Sequence, residues 1–577
     1  MESNVLKRTS IAILLCAACT IGLLSLCPSE GYGETTAPFP SFWDERPNEE
    51  LIEAIVAEMT DEELLGQVFM LGYIGKHPSE QVLGWIRSRN LGGVKIFTRN
   101  VDTLPGLTRS IAAMQETARA GRFQIPLFMS TDQEGGWVRH IKQETSQTPG
   151  NIALGASGLP QDALLTGYYI GAELKSLGIN MNFAPTTDVY SNPSASVIGP
   201  RAFSSDPVTT AMLALAYFQG MSKSGIICTA KHFPGHGHAD KDSHGTLPVV
   251  RISFEQMWQR ELVPYRILIP EGIPAIMSAH IAYPDILGNL LPSSRSRYLI
   301  EEVLREKLTF DGLLITDDME MNGAISGGVD TAQASLEALD AGNDMILVSH
   351  TPRVQELTWE KLKIHLDEHP EFRERIKTSV RRILRLKLKT FKTTASVDPP
   401  DQGENFTPSP GAWEFFQQSA LRSVTLLKDT AIPLEQNGDR RMLLIGQFDE
   451  FLEEGRLRYP EAEVLFFPYS PFYSAREQDL ERVPRIASLY DTVVFCLANY
   501  NSLEVLETLR TFPGTLVVIS TLSPVYLRDT PWVENALAVY GTGKESFRAG
   551  FAALMGDFDP EGRIPVDFID TEPAAAQ

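Results

Sequence analysis

Gly225-Ile226-Ile227-Cys228-Thr229-Ala230-Lys231-His232-Phe233 is an unbroken apolar run that ends on a lysine and a histidine. A strand with one wet face alternates apolar and polar residues. This run does not, so it reads as a parallel strand covered on both faces. Pro234, Gly235 and Gly237 stop it at once. Seven further runs of the same kind lie at 66–73, 93–98, 126–132, 180–188, 275–281, 312–318 and 344–349. Helical patterns separate them, as at 160–177 and 254–269. Eight strand–helix units predict an α/β fold, a (β/α)8 TIM-like barrel with insertions. An open doubly wound sheet is the alternative. Polar residues collect at the C-terminal ends of the runs: Asp132, Asp188, Lys231, His232, His280, Asp317 and Asp318. Barrel active sites are built at that face, which favours the barrel.

The barrel is expected over 40–392. Its last helix, 373–392, is basic and amphipathic, with Ile376, Val380, Ile383 and Leu384 on one side. We read its basic face as solvated, in preference to a membrane-surface helix. A polar, proline-rich linker is expected over 393–411. A smaller α/β open-sheet sandwich domain is expected over 412–577, with strand runs at 441–445, 463–467, 491–497, 514–519 and 535–540. No catalytic motif is read in this domain, and the sequence leaves its role open.

Apolar residues make up 43% of the 577 and charged residues 21%, the balance of a folded globular chain. Lys and Arg number 51 against 73 Asp and Glu, a net charge of −22 that argues against nucleic-acid partners. Lys7 and Arg8, an apolar run over 11–26 and the polar exit Pro28-Ser29-Glu30-Gly31 have the layout of a secretory signal over 1–33. Gly31-Tyr32-Gly33 suits cleavage. Leu24-Ser25-Leu26-Cys27 is an imperfect lipoprotein signal, Leu26 being bulky where a small residue is usual. The protein is therefore expected to be exported to the periplasm, cell envelope or medium. Membrane contact would come only through a lipid or an uncleaved signal, and a monomer is expected. Cys228 and Cys496 lie in strand runs and read as buried free thiols.

Four of the ten histidines fall within 231–244. A zinc site is one reading, but Pro234, Gly235 and Gly237 prevent the helix that would align His232 with His236. No metal and no cofactor is expected, since no glycine-rich loop follows a strand in a nucleotide-binding pattern. Asp242-Ser243-His244 allows a carboxylate to turn back onto an imidazole, fixing its tautomer and raising its basicity. In Thr316-Asp317-Asp318, one aspartate can cap the following helix while the other points into the barrel mouth as a nucleophile. Asp132-Gln133-Glu134-Gly135-Gly136 places a carboxylate before a tight turn, and Arg201 stands alone in a loop after the fourth run.

Together these stretches resemble glycoside hydrolase family 3, in its β-N-acetylglucosaminidase branch. The likeness also runs through 93–100, 341–348, 424–434 and 541–565. It implies a retaining mechanism with a covalent glycosyl-enzyme: Asp317 as nucleophile, His244 as general acid/base and Asp242 orienting His244. Asp132, Arg201, Lys231 and His232 would hold the hydroxyls of a terminal N-acetylglucosamine. The branch commonly has an arginine soon after the Glu-Gly-Gly turn. Here Arg139 stands one position early and His140 follows, so that role falls to Arg139 or His140. The implied function is an exo-β-N-acetylglucosaminidase acting on carbohydrate, either peptidoglycan fragments or chitin-type oligosaccharides. The competing readings are an N-acetylglucosaminide phosphorylase, a family 3 β-glucosidase or β-xylosidase with its acid carboxylate in the second domain, and a non-catalytic glycan-binding protein.

Overall fold

The computed structural model describes residues 39–392, 406, 408–434, 441–470 and 474–567. The expected signal at 1–33 and most of the expected linker lie outside them. Among the described residues no helix is long and apolar enough to cross a membrane.

Eight parallel strands close into a barrel: β1 (Phe69–Leu71), β2 (Gly93–Lys95), β3 (Phe128–Thr131), β4 (Met181–Asn182), β5 (Ile227–Phe233), β6 (Ala275–Ser278), β7 (Leu313–Asp318) and β8 (Met345–Val348). Each strand pairs with its sequence neighbours, and β8 pairs with β1. Every strand falls inside one of the eight apolar runs, and the open doubly wound alternative is excluded by closure. Barrel interior and helix ring share one continuous apolar core, which includes Met70, Phe128, Ile276, Leu314 and Leu347. That is why the runs are apolar without alternation. The helix expected at 254–269 forms with one wide turn, Met257–Glu261, just ahead of Pro264, which has no amide hydrogen to give.

Helix Pro370–Phe391 buries Ile376, Val380, Ile383 and Leu384 as expected. Its basic face stays at the solvent-exposed surface, as expected, and carries ion pairs there: Arg381 and Arg385 each pair at 2.7 Å, with Glu53 and Glu49, and Arg373 reaches Asp61 at 2.5 Å.

The second sheet holds β9 (Thr425–Lys428), β10 (Met442–Gly446), β11 (Glu463–Phe466), β12 (Thr492–Leu497), β13 (Thr515–Thr521) and β14 (Ala536–Tyr540), in the order β9-β14-β13-β12-β10-β11. Only β9 is antiparallel, and it is the strand the apolar runs did not announce. Alternate residues of β12 enter different cores: Val493 and Phe495 one, Val494 and Cys496 the other. Ile152, Ala153 and Ala156 of the barrel helix Asn151–Ser157 belong to the first of these cores, so this face of the sheet packs on the barrel. Cys228 and Cys496 are buried free thiols, as expected.

Candidate active site

The C-terminal ends of the barrel strands open into a cavity of about 450 Å³, the size of a small-ligand cleft. Its floor is ionic. Asp132, directly after β3, has Oδ1 2.5 Å from Lys231 Nζ and Oδ2 2.7 Å from Lys95 Nζ. Lys231 Nζ also lies 2.6 Å from Glu134 Oε1. Arg201 closes on Glu134 as a fork, Nε at 2.9 Å and Nη2 at 2.8 Å. Burial alone would raise both carboxyls. Lys231, then Lys95, reverses this at Asp132 and holds it well below the usual range. Arg201 and Lys231 bring Glu134 down to about 2.

Consecutive residues of a regular strand point to opposite faces. Lys231 and His232 nevertheless both line the cavity. The β5–β6 register shifts between Ala230 and Phe233, a bulge that re-aims the strand end. His232 Nδ1 lies 2.7 Å from Asp188 Oδ2, and Asp188 Oδ1 accepts the amides of His232 and His236 at 3.2 and 2.6 Å. Donation from Nδ1 leaves Nε2 to accept from Arg201 Nη2 at 3.3 Å. Burial pushes Asp188 up, but His232 pulls it down to about 2. Asp188 is thus a positioning carboxylate beneath the floor.

A second register shift, on the β7–β8 pair, brings Asp317 and Asp318 both to the cavity. Their partners differ. Asp318 takes the Ser349 hydroxyl, lies 3.2 Å from His350 Nε2 and accepts the Glu320 amide at 3.0 Å. Among the described residues the Asp317 carboxylate accepts one hydrogen bond, from the Asp318 amide at 2.8 Å. Burial would raise it, yet His232, His280 and Lys95 hold it well below the carboxylate range. His280 itself bonds Ser294 Oγ at 2.8 Å and the Asp318 carbonyl at 3.1 Å, so it props the turn.

Asp242 turns back onto His244 as the spacing predicts: Nδ1 is 2.7 Å from Oδ1, which also accepts the His244 amide at 3.0 Å. The hydrogen bond to Asp242 raises the imidazole pKa against the effect of burial, and the Asp317 charge adds to it. The His244 side chain is 71% exposed at the cavity mouth. The Ser243 carbonyl accepts the Gly323 amide at 2.9 Å, which ties this loop to the one after β7.

The Glu-Gly-Gly turn opens a hairpin with arms Gln133–Gly135 and Val138–Arg139. Gly135 and Gly136 have φ of 97° and 58°, which a side chain would strain. Alternation along the second arm separates the two candidates. His140 lines the cavity, its Nε2 3.6 Å from Asp132 Oδ2. Arg139 points away to the carbonyls of Thr145 and Ser146, both at 3.3 Å.

The residues expected to act on substrate line this one cavity, with His140 and not Arg139 among them: Asp132, His140, Arg201, Lys231, His232, Asp242, His244 and Asp317. Sequence reasoning missed Lys95 and Glu134, which hold the floor together. Lys95 lies inside the run at 93–98, ahead of Ile96 and Phe97, and only the structure makes it a strand end. The second domain, whose role the sequence left open, joins the site: Tyr469, Asn499, Ser523 and Tyr526 wall one side of the cavity. Among the described residues no cluster of three or more His, Cys, Asp or Glu side chains could hold a metal ion.

Residues 59–386 match the glycosyl hydrolase family 3 N-terminal domain. The chain is 32% identical over 417 residues to β-hexosaminidase A of Pseudoalteromonas piscicida, covering 66% of this chain and 69% of that one. It is 35% identical over 300 residues to a β-hexosaminidase of Bordetella avium, covering 51% of this chain and 83% of that one. A family 3 β-N-acetylglucosaminidase structure from Paenibacillus sp. str. FPU-7 superposes with a TM-score of 0.82 at 28% identity, over 88% of this chain and 99% of that one.

Proposed function

The chain belongs to glycosyl hydrolase family 3 and is a glycoside hydrolase of β-hexosaminidase type, and from that premise we propose that it is a retaining exo-β-N-acetylglucosaminidase with a glycosyl-aspartate intermediate. The observation that carries the reading is the difference between the two aspartates of β7. Asp318 is fully engaged in holding the turn, whereas Asp317 is ionised and faces the cavity that His244 overhangs. Asp317 would attack the anomeric carbon while His244, protonated and oriented by Asp242, gives a proton to the leaving oxygen. Neutral His244 would then take a proton from water as it releases the sugar. Asp132, Arg201, Lys231, His232 and His140 are the groups placed to hold the sugar. Among the described residues, the six that line the cavity from the second domain include no carboxylate, which weighs against an acid supplied from there.

Purified protein is expected to hydrolyse an aryl N-acetyl-β-glucosaminide with kcat/KM at least roughly tenfold above the aryl β-glucoside, a difference on the scale of one lost set of substituent contacts. Equal values would refute the preference. Among the described residues five carboxylates line the cavity against three Lys and Arg cations, so a phosphate acceptor would enter against excess negative charge. Turnover is accordingly expected to be indifferent to added phosphate. A phosphate-dependent rise with release of a sugar phosphate would make the enzyme a phosphorylase.

The pH profile follows from the two shifts. Asp317 lies well below its ordinary value and so stays ionised through mild acid. His244 lies above its ordinary value, so the protonated acid persists past the usual histidine range of about 6.5 and is lost as pH rises through the shifted value. The alkaline limb of kcat/KM should report His244, and Asp242→Asn should move that limb to lower pH. A limb unmoved in Asp242→Asn would dissociate it from this pair.

We also propose export, on the strength of Lys7, Arg8 and the apolar run over 11–26. Fractionation of cells tests it, and a full-length cytoplasmic protein would contradict it.

A further inference from the structure

The wall given by the second domain differs in chemistry from the floor. Tyr469, Ala498, Asn499, Leu522, Ser523 and Tyr526 carry no charge. Asn499 is committed to its own domain, accepting the Ser502 amide at 3.0 Å and donating to the Ser470 carbonyl at 2.8 Å. What the wall offers is therefore mainly ring surface. Trp137, at the hairpin tip and 40% exposed, stands against Tyr469 with ring centroids 5.2 Å apart. Tyr469 is backed by Phe448 at 5.4 Å, and Tyr526 by Tyr500 at 5.0 Å. Rings held this way present a fixed apolar face at little entropic cost.

The charges lie elsewhere. Lys95, Lys231 and Arg201 are each taken up by Asp132 or Glu134. Arg528, on the same segment as Tyr526, is engaged by Asp529 at 3.1 Å. Among the described residues no lining Lys or Arg is left over to meet an acidic leaving group, and the His244 imidazolium is already held by Asp242, while lining carboxylates outnumber Lys and Arg five to three.

We propose that the second-domain wall is the leaving-group subsite, and that it accepts an uncharged pyranose stacked on Tyr469 and Trp137 while turning away sugars that carry a carboxylate. The inference rests on the reading of the site as an N-acetylglucosaminidase. It favours chitin-type oligosaccharides over peptidoglycan fragments with free acid groups. The apolar C–H face of a pyranose suits an aromatic ring. A carboxylate brought into a cavity whose carboxylates outnumber its Lys and Arg cations is repelled, and the more so as the cavity empties of water.

Four donors separate the possibilities by kcat/KM, which reports the glycosylation step. They are N-acetyl-β-glucosaminyl fluoride, whose leaving group is too small to touch the wall, and the β-1,4 disaccharide of N-acetylglucosamine. The others are the same disaccharide with a 3-O-lactyl acid on the reducing sugar, and the methylamide of that acid. The neutral disaccharide should exceed the lactyl acid by about tenfold, and amidation should close most of the gap. Tyr469→Ala should lose about tenfold more on the neutral disaccharide than on the fluoride, chiefly through KM. Trp137→Ala, at an exposed position, should show the same asymmetry and stands in if Tyr469→Ala does not fold. Equal turnover of acid and amide, or a gap that amidation leaves open, overturns the charge selection. Losses equal on fluoride and disaccharide in both variants, or absent from both, overturn the subsite. No turnover of any donor, the fluoride included, would strike the N-acetylglucosaminidase reading itself.

Discussion

Asp317→Ala is expected to lower kcat by at least roughly 10⁴-fold, about 5 kcal/mol of transition-state stabilisation, while the protein stays folded. A nucleophile lowers the barrier only as its bond to the anomeric carbon forms, so the loss falls on kcat and not on substrate affinity. The fold has little to lose. The Asp317 carboxylate accepts one hydrogen bond, from the next amide in the chain. Asp318→Ala should behave in the opposite way. It deprives the Ser349 hydroxyl, His350 and the Glu320 amide of their partner, and it should cost roughly 1–3 kcal/mol of stability, read as a lower Tm. Circular dichroism and single-turnover kinetics on both variants decide the matter. An inactive but fully stable Asp318→Ala beside a near-normal Asp317→Ala would exchange the two roles.

His244→Ala is expected to slow glycosylation by a disaccharide by about 10²–10⁴-fold, and by a nitrophenyl glycoside far less. A sugar alkoxide needs a proton in order to leave, whereas nitrophenolate scarcely does. The second step should be slow for both donors, because water must still lose a proton. Azide needs no base, and at tens of millimolar it should restore deglycosylation and yield the glycosyl azide. The position of His244 makes the test feasible, since its exposed side chain leaves room at the mouth for a small anion once removed. Asp242→Asn should be milder than His244→Ala, because the amide still bonds Nδ1 while losing the charge that raises the ring. Equal losses on both donors without azide rescue would reduce His244 to a binding or structural residue.

Much of the site could be read from the chain because its chemistry is carried by short local motifs. The Asp242–His244 bond spans two residues, so the spacing alone contained the geometry. Asp132, Lys231 and Asp317 were legible for another reason: each ends an apolar run, and in a closed parallel barrel all such ends share one face. Lys95 ends β2 in the structure, but the apolar run at 93–98 continues through Ile96 and Phe97 and hid that strand end. The choice between Arg139 and His140 turned on the hairpin's register, which pairs Arg139 with Gln133 and turns the next residue, His140, into the cavity, a matter that no spacing announces.

The chain by itself determined the eight strands, because a strand buried on both faces must be apolar throughout, and that condition is written locally. It also determined the five parallel strands of the second sheet and the Asp242–His244 pair. Only the tertiary structure decided which of two adjacent aspartates is free. That depends on Ser349 and His350, 31 and 32 positions away in sequence, and on a register shift between β7 and β8. Only the tertiary structure made the second domain part of the cavity. Tyr469 meets Trp137 across more than three hundred residues, and Tyr526 lines the same cavity, through the packing of one sheet face on the barrel helix Asn151–Ser157. Contacts of that range arise from the fit of two surfaces, and they leave no period or motif in either segment.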